Sequence, residues 1–87
     1  MSVTIQLTYD MSKVLGAARV EIDGARDVAE AIAQVRSRFG EAGGEFEKLT
    51  RVTAVAVNGV LASYQRGTKT PLEDGDVVAF VKAAAGG

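Results

Sequence analysis

The sequence predicts an α+β domain in which a mixed sheet of four to five strands packs on one main helix. Apolar and polar residues alternate with a period of two over residues 2–9 and again over 19–23, as in strands that rest one face on a core. A single helix with both ends marked follows at 27–39. An Asn-Gly pair at 58–59 and an unbroken apolar run over 77–81 place the remaining strands after it. With 87 residues and no internal repeat, one compact unit is expected.

In the first strand Val3, Ile5, Leu7 and Tyr9 alternate with Ser2, Thr4, Gln6 and Thr8. Residues 10–17 lose that period, and Met11, Val14 and Leu15 suggest a connection with one helical turn that ends at Gly16. Alternation resumes from Arg19 to Asp23 and breaks at Gly24, which gives a second strand antiparallel to the first.

The helix has Asp27 as its N-cap and Glu30 three positions on, as in a capping box; Gly40 is expected to take the left-handed conformation at the far end. Val28, Ile32, Val35 and Phe39 form one apolar stripe, and Arg36 and Arg38 suit the negative end of the helix dipole. Residues 40–50, rich in glycine and glutamate with Phe46 and Leu49 as anchors, predict a long surface loop or a loosely held helical turn where mobility concentrates.

A strand at 52–57 turns back at Asn58-Gly59, whose type I′ turn needs positive φ at both positions, into a short strand at Val60-Leu61. Residues 62–71 are polar, with Arg66 and Lys69 on a solvated loop, and Asp74-Gly75-Asp76 forms a tight turn with too few oxygen ligands nearby for a metal. The run from Val77 to Val81 predicts a strand buried on both faces or shielded by a partner. If this last strand lies parallel beside the first, the helix covers one sheet face and the architecture is the ubiquitin-like β-grasp. The domain then spans 1–82, and 83–87 form a flexible tail that ends in Gly86-Gly87.

Composition excludes most catalytic chemistry. There is no Cys and no His, which removes thiolate nucleophiles, disulfides, zinc-thiolate sites and the commonest acid/base residue. The formal net charge is −1 with charges of both signs scattered, so no basic stripe marks a nucleic-acid ligand. No apolar run approaches the roughly 18–20 residues of a membrane span, and residues 1–7 lack the pattern of a signal peptide. A cytoplasmic location, with neither nucleic acid nor membrane as partner and a monomer in the free state, is the expectation.

Over nearly its whole length the chain resembles the ubiquitin-like sulfur carriers of the MoaD/ThiS family. The resemblance rests on VTIQLTY at 3–9, DVAEAIAQV at 27–35, VAVNG at 55–59, LEDGDVVAFV at 72–81 and the closing Gly86-Gly87. It implies that the protein is not itself an enzyme, has no catalytic residue and binds no cofactor of its own. Gly87 would be adenylated through its main-chain carboxylate by a ubiquitin-activating-type enzyme that uses MgATP. A sulfur donor protein would then convert it to a thiocarboxylate for a downstream sulfur-accepting enzyme in a biosynthetic pathway.

Ala85 and Gly86 would thread the partner's channel, since glycine has no Cβ and alanine keeps the tail slim. Phe80 and Val81 are candidates for an apolar surface offered to partners. Where molybdopterin synthase subunits of the family carry aromatic and proline residues before the tail, this chain has Val81-Lys82-Ala83, which argues against that acceptor. Two other functions share the fold: a ubiquitin-like modifier that forms isopeptide bonds through Gly87, and a binding module whose tail is inert.

Overall fold

The computed structural model describes residues 1–82. The tail 83–87, and with it Ala85, Gly86 and Gly87, lies outside the described residues. Among the described residues the chain runs β1 (Ser2–Gln6), α1 (Tyr9–Leu15), β2 (Arg19–Asp23), α2 (Val28–Arg38), α3 (Glu41–Thr50), β3 (Thr53–Val57), β4 (Val60–Leu61) and β5 (Val77–Lys82), with two 3-10 turns between β4 and β5. The sheet order is β2-β1-β5-β3-β4, with β1 and β5 parallel and the other pairs antiparallel. This is the β-grasp arrangement that the sequence predicts.

Alternation in the strands sets their two faces. Val3 and Ile5 of β1, Val20 and Ile22 of β2, and Val78 and Phe80 of β5 point into one core with Met11 and Leu15 of α1 and Val28, Ala31 and Val35 of α2. Helix α1 is longer than one turn: the Thr8 side chain accepts a hydrogen bond from the Met11 amide, and Gly16, at φ 73° and ψ 24°, closes it in the left-handed region. No helix among the described residues is long and apolar enough to cross a membrane.

Helix α2 starts as expected, with the Asp27 carboxylate accepting from the Glu30 amide at 2.8 Å. The return bond differs: Glu30 accepts from the Arg26 amide, one residue before the cap, and pairs with the Arg26 guanidinium at 2.9 Å. The side-chain hydrogen bond from Arg26 holds the Glu30 carboxyl below its ordinary range. The far end differs as well. Phe39 caps α2, and Gly40 takes φ 58° with ψ −123°, outside the left-handed helical region, to link directly into the next helix.

Residues 40–50 therefore correct the expectation of a loop. Helix α3 fills them, with Phe46 completely buried and Ala42 and Leu49 packed beside it. Ala42, Phe46 and Leu49 are spaced four and three apart, which is a helical stripe. The glycines that suggested a loop have another use: a Cβ at Gly43 would stand 2.0 Å from the Arg36 carbonyl oxygen, so glycine is what lets α3 lie against α2.

The last strand is a second correction. Its apolar run is not buried on both faces: Val78 and Phe80 face the core, Val77 and Ala79 are half-buried on the outer side, and Val81 is 48% exposed. A central strand in a sheet covered by helices on one side only has one face left open.

Candidate functional site

Residues 83–87 follow β5 in the sequence, so the candidate site is built around the end of that strand. β5 lies between β1 and β3; Thr4, Ile5 and Gln6 stand opposite Val77, Val78 and Ala79, while Thr53–Val57 run antiparallel against Lys82–Val78. The strand is bonded to β1 over 77–79 and to β3 over 78–82, so its last residues are held into the sheet by β3.

Two sequence motifs meet to fix the strand's start. Asn58, at φ 51°, and Gly59, at φ 85°, form the expected turn between β3 and β4. The Asn58 side chain does more than accept that backbone. Its amide nitrogen donates to Asp76 Oδ1 and its oxygen accepts from the Val77 amide, each at 2.9 Å, and its own backbone amide donates to the Val77 carbonyl at 2.8 Å. Asp76 Oδ2 accepts from the Glu73 amide, and Asp74 accepts from the Ser2 amide at 2.7 Å. The reading of Asn58 and of the 74–76 turn as structural therefore holds, and the bond from Asn58 to Asp76 is what sequence spacing could not reveal.

The two candidate surface residues separate. Phe80 is 7% exposed and its ring stands edge-on to Phe46, centroids 5.6 Å apart, so it belongs to the core. Val81 points the other way. On its side of the sheet Val81 faces Ala54, Ala79 faces Ala56, and Ala56 faces Leu61, so the open face over β3, β4 and β5 is apolar and built from small side chains. Over β1 and β2 the same face carries Thr4, Gln6, Arg19, Glu21 and Asp23. The outer face is divided into an apolar half over β3, β4 and β5 and a polar half over β1 and β2.

A cleft of about 340 Å³ opens where the tail begins, lined by Thr8, Tyr9, Asp10, Phe80, Val81 and Lys82. Tyr9 is 75% exposed beside it, with Lys13 Nζ 5.4 Å from the ring centroid. The first strand's alternation put Tyr9 on the core side, but the chain has already entered α1 there and the ring turns outward. Among the described residues no cluster of three or more His, Cys, Asp or Glu is placed to hold a metal ion.

The ThiS family model matches residues 10–87. No curated protein sequence matches the chain. Among solved structures, the CysO chain from the Amycolatopsis orientalis BexX/CysO complex is similar at 28% identity and a TM-score of 0.78, over 98% of this chain and 99% of that one. A chain from the complex of subunits 1 and 2 of the molybdopterin-converting factor of Helicobacter pylori is 26% identical with a TM-score of 0.66, each chain covered in full. Small archaeal modifier protein 1 of Methanosarcina acetivorans, at 14% identity, has a TM-score of 0.82 over 99% of this chain and 96% of that one, which shows the shared fold.

Proposed function

We propose, from the fact that this chain belongs to the ThiS family, that it is a sulfur carrier whose Gly87 carboxylate is the chemical group in use. The observation that supports this most is the placement of β5. β5, paired with β1 over 77–79 and with β3 over 78–82, ends at Lys82, and the five residues that follow it in the sequence close on Gly86-Gly87. The body holds the tail's root in place, and the glycines leave the terminal carbonyl carbon open to attack from either side.

A carboxylate is a poor acyl donor, because its leaving group would be an oxide ion. An activating enzyme with MgATP removes that difficulty. One carboxylate oxygen of Gly87 attacks the α-phosphorus of ATP, pyrophosphate leaves, and the product is an acyl-adenylate. A sulfur nucleophile held by a donor protein then attacks the acyl carbon and AMP leaves. Where that nucleophile is the outer sulfur of a persulfide, the product is an acyl disulfide; a second thiol then attacks the donor's sulfur, the S–S bond breaks with formation of a new disulfide on the donor, and the thiocarboxylate leaves, its sulfur free to attack the substrate of a downstream enzyme. None of these steps calls on a side chain of this protein, which agrees with a sequence that has neither Cys nor His. The chain acts as a carrier, and MgATP belongs to its partner. The solved complexes of similar chains support such partnerships: one pairs CysO with BexX, the other pairs two subunits of a molybdopterin-converting factor.

Intact mass spectrometry of the chain purified from its native host tests the proposal. A fraction heavier by about 16 Da than the unmodified polypeptide, as expected when sulfur replaces one oxygen, should be present and should react with a thiol alkylating reagent. It should vanish when Gly87 is deleted. High-mass adducts joined through Gly87 to lysines, with no thiocarboxylate, would instead establish a ubiquitin-like modifier. A polypeptide that continues past Gly87, or carries neither product, would overturn the reading.

A further inference from the structure

We propose that the free edge of β2 is a pairing surface for a second copy of this chain, and that Arg38 is the latch that keeps it closed. The two edges of the sheet are unequal: β4 is two residues long, whereas β2 spans the five residues Arg19–Asp23. Hydrogen bonds from the Gly24 amide to the Met1 carbonyl and from the Leu7 amide to the Ala18 carbonyl fix the parity of the β1–β2 ladder. Val3 and Ile22, and Ile5 and Val20, are therefore the pairs that exchange bonds, while Arg19, Glu21 and Asp23 turn their N–H and C=O groups away from β1. An edge of that length is a template for another strand.

The side chains say which strand fits. Laid antiparallel on itself about Glu21, β2 sets Arg19 opposite Asp23 of the second copy and Asp23 opposite its Arg19. Both are hydrogen-bonded pairs of the new ladder, so backbone and charge complementarity fall in one register. Across β1 the three residues face Gln6, Thr4 and Ser2, and none of them has an ion-pair partner among the described residues. A two-fold axis through Glu21 lets one patch serve both copies. Two features oppose the pairing. The Glu21 carboxylates would meet at the axis as like charges directly opposite. Arg38 Nη1 also donates to the Glu21 carbonyl at 2.8 Å, so the last residue of α2 occupies the central acceptor that the second strand needs. With Glu30, Ala33, Gln34 and Ser37, Arg38 lines a shallow recess of about 510 Å³ along α2, whose small side chains leave room beside the edge once the guanidinium swings out. β1 stands between this edge and β5, so the pairing leaves the end of β5 uncovered and goes beyond the carrier reading without depending on it.

Sedimentation velocity of the full chain over a range of concentrations, with amide hydrogen exchange followed by NMR, tests the proposal. Arg38→Met keeps an unbranched stem and removes the donor; it should dimerise about tenfold more tightly than wild type, and Arg38→Met with Glu21→Gln more tightly again. In these dimers the amides of Arg19, Glu21 and Asp23 should gain protection, while those of Val20 and Ile22, already bonded to β1, should change little. Adding Asp23→Lys to Arg38→Met should return association to the wild-type level, and swapping the charges with Arg19→Asp and Asp23→Arg should restore the dimer. All four positions are exposed, and circular dichroism should show every variant folded. An Arg38→Met protein that associates no more tightly than wild type overturns the proposal, and so does a dimer that ignores Asp23→Lys or protects amides elsewhere.

Discussion

Two adjacent glycines in α3 should respond to the same substitution with opposite signs. Gly43 and Gly44 are both helical, and at an open helical site alanine is favoured over glycine by about 1 kcal/mol. A Cβ on Gly44 meets nothing within 4 Å, so Gly44→Ala should stabilise the domain by up to about 1 kcal/mol. A Cβ on Gly43 would lie 2.0 Å from the Arg36 carbonyl oxygen, 2.7 Å from its carbon and 2.8 Å from its Cα. Carbon and oxygen rest at about 3.3 Å or more, so α3 would have to retreat from α2 by more than about 1 Å. The obstacle is backbone and has no rotamer to yield. Overpacking of this kind costs about 1–3 kcal/mol, and the retreat would also lift Phe46 from its fully buried seat. After the propensity gain of about 1 kcal/mol is subtracted, Gly43→Ala should still lose up to about 2 kcal/mol. For a domain of this size each kcal/mol moves Tm by about 4–8 °C, so the two variants, about 1–3 kcal/mol apart, should separate by at least about 4 °C in thermal melts followed by circular dichroism. A Gly43→Ala protein as stable as Gly44→Ala would refute the close approach of the two helices.

Three further outcomes are expected. Phe46→Ala empties the most deeply buried aromatic site and breaks its edge-on contact with Phe80, so urea denaturation should show a loss of about 3–5 kcal/mol, enough to leave a domain this small partly unfolded. Asn58→Gly keeps the turn's positive φ but removes the bonds to Asp76 and Val77, whereas Asn58→Ala removes the bonds and strains the turn; both should lower the denaturation midpoint, Ala more than Gly, with a total for Ala of about 1–3 kcal/mol. The Glu30 carboxyl has its folded pKa lowered by Arg26, so its stabilising contribution is present above the unfolded carboxyl range and is lost as pH falls through the folded value. Glu30→Gln should accordingly flatten the acid side of a stability–pH curve and leave its shape above neutral pH unchanged, and an identical acid limb in both proteins would count against the pairing.

What was legible in the sequence was whatever depended on neighbours along the chain. β1 and β2 follow from strict alternation, α2 from Asp27 and its stripe, and the β3–β4 reversal from Asn58-Gly59, because each records a local backbone requirement. The parallel pairing of β1 with β5 was also within reach, since so few topologies close this order of elements. α3 was missed for a tertiary reason. Local propensity scores Gly43 against a helix, while the packed structure requires glycine there to admit the Arg36 carbonyl. The signal that could have found it was present in Ala42, Phe46 and Leu49, and the glycine pair outweighed it. The apolar run of β5 misled in the opposite way: hydrophobicity alone does not distinguish a face covered by helices from one left open.

That open face connects fold to use. Val81 at half exposure gives the domain less stability than a core valine would, and the sheet surface over β3 and β5 carries alanine, valine and leucine where β1 and β2 show charged and polar residues. Small side chains over β3 and β5 leave the surface flat, and a flat apolar surface beside the root of a short tail is what a protein needs when several partners must in turn reach the same terminal residue. If this is its purpose, polar substitution there should separate stability from function. Val81→Ser, at the exposed end of β5, should change the melting midpoint by no more than a few degrees, because little apolar area leaves the core. It should nevertheless weaken binding of the adenylating enzyme, measured by calorimetry on the intact proteins. A variant that loses stability but binds as wild type would mean that Val81 serves the fold and that partners are recognised elsewhere.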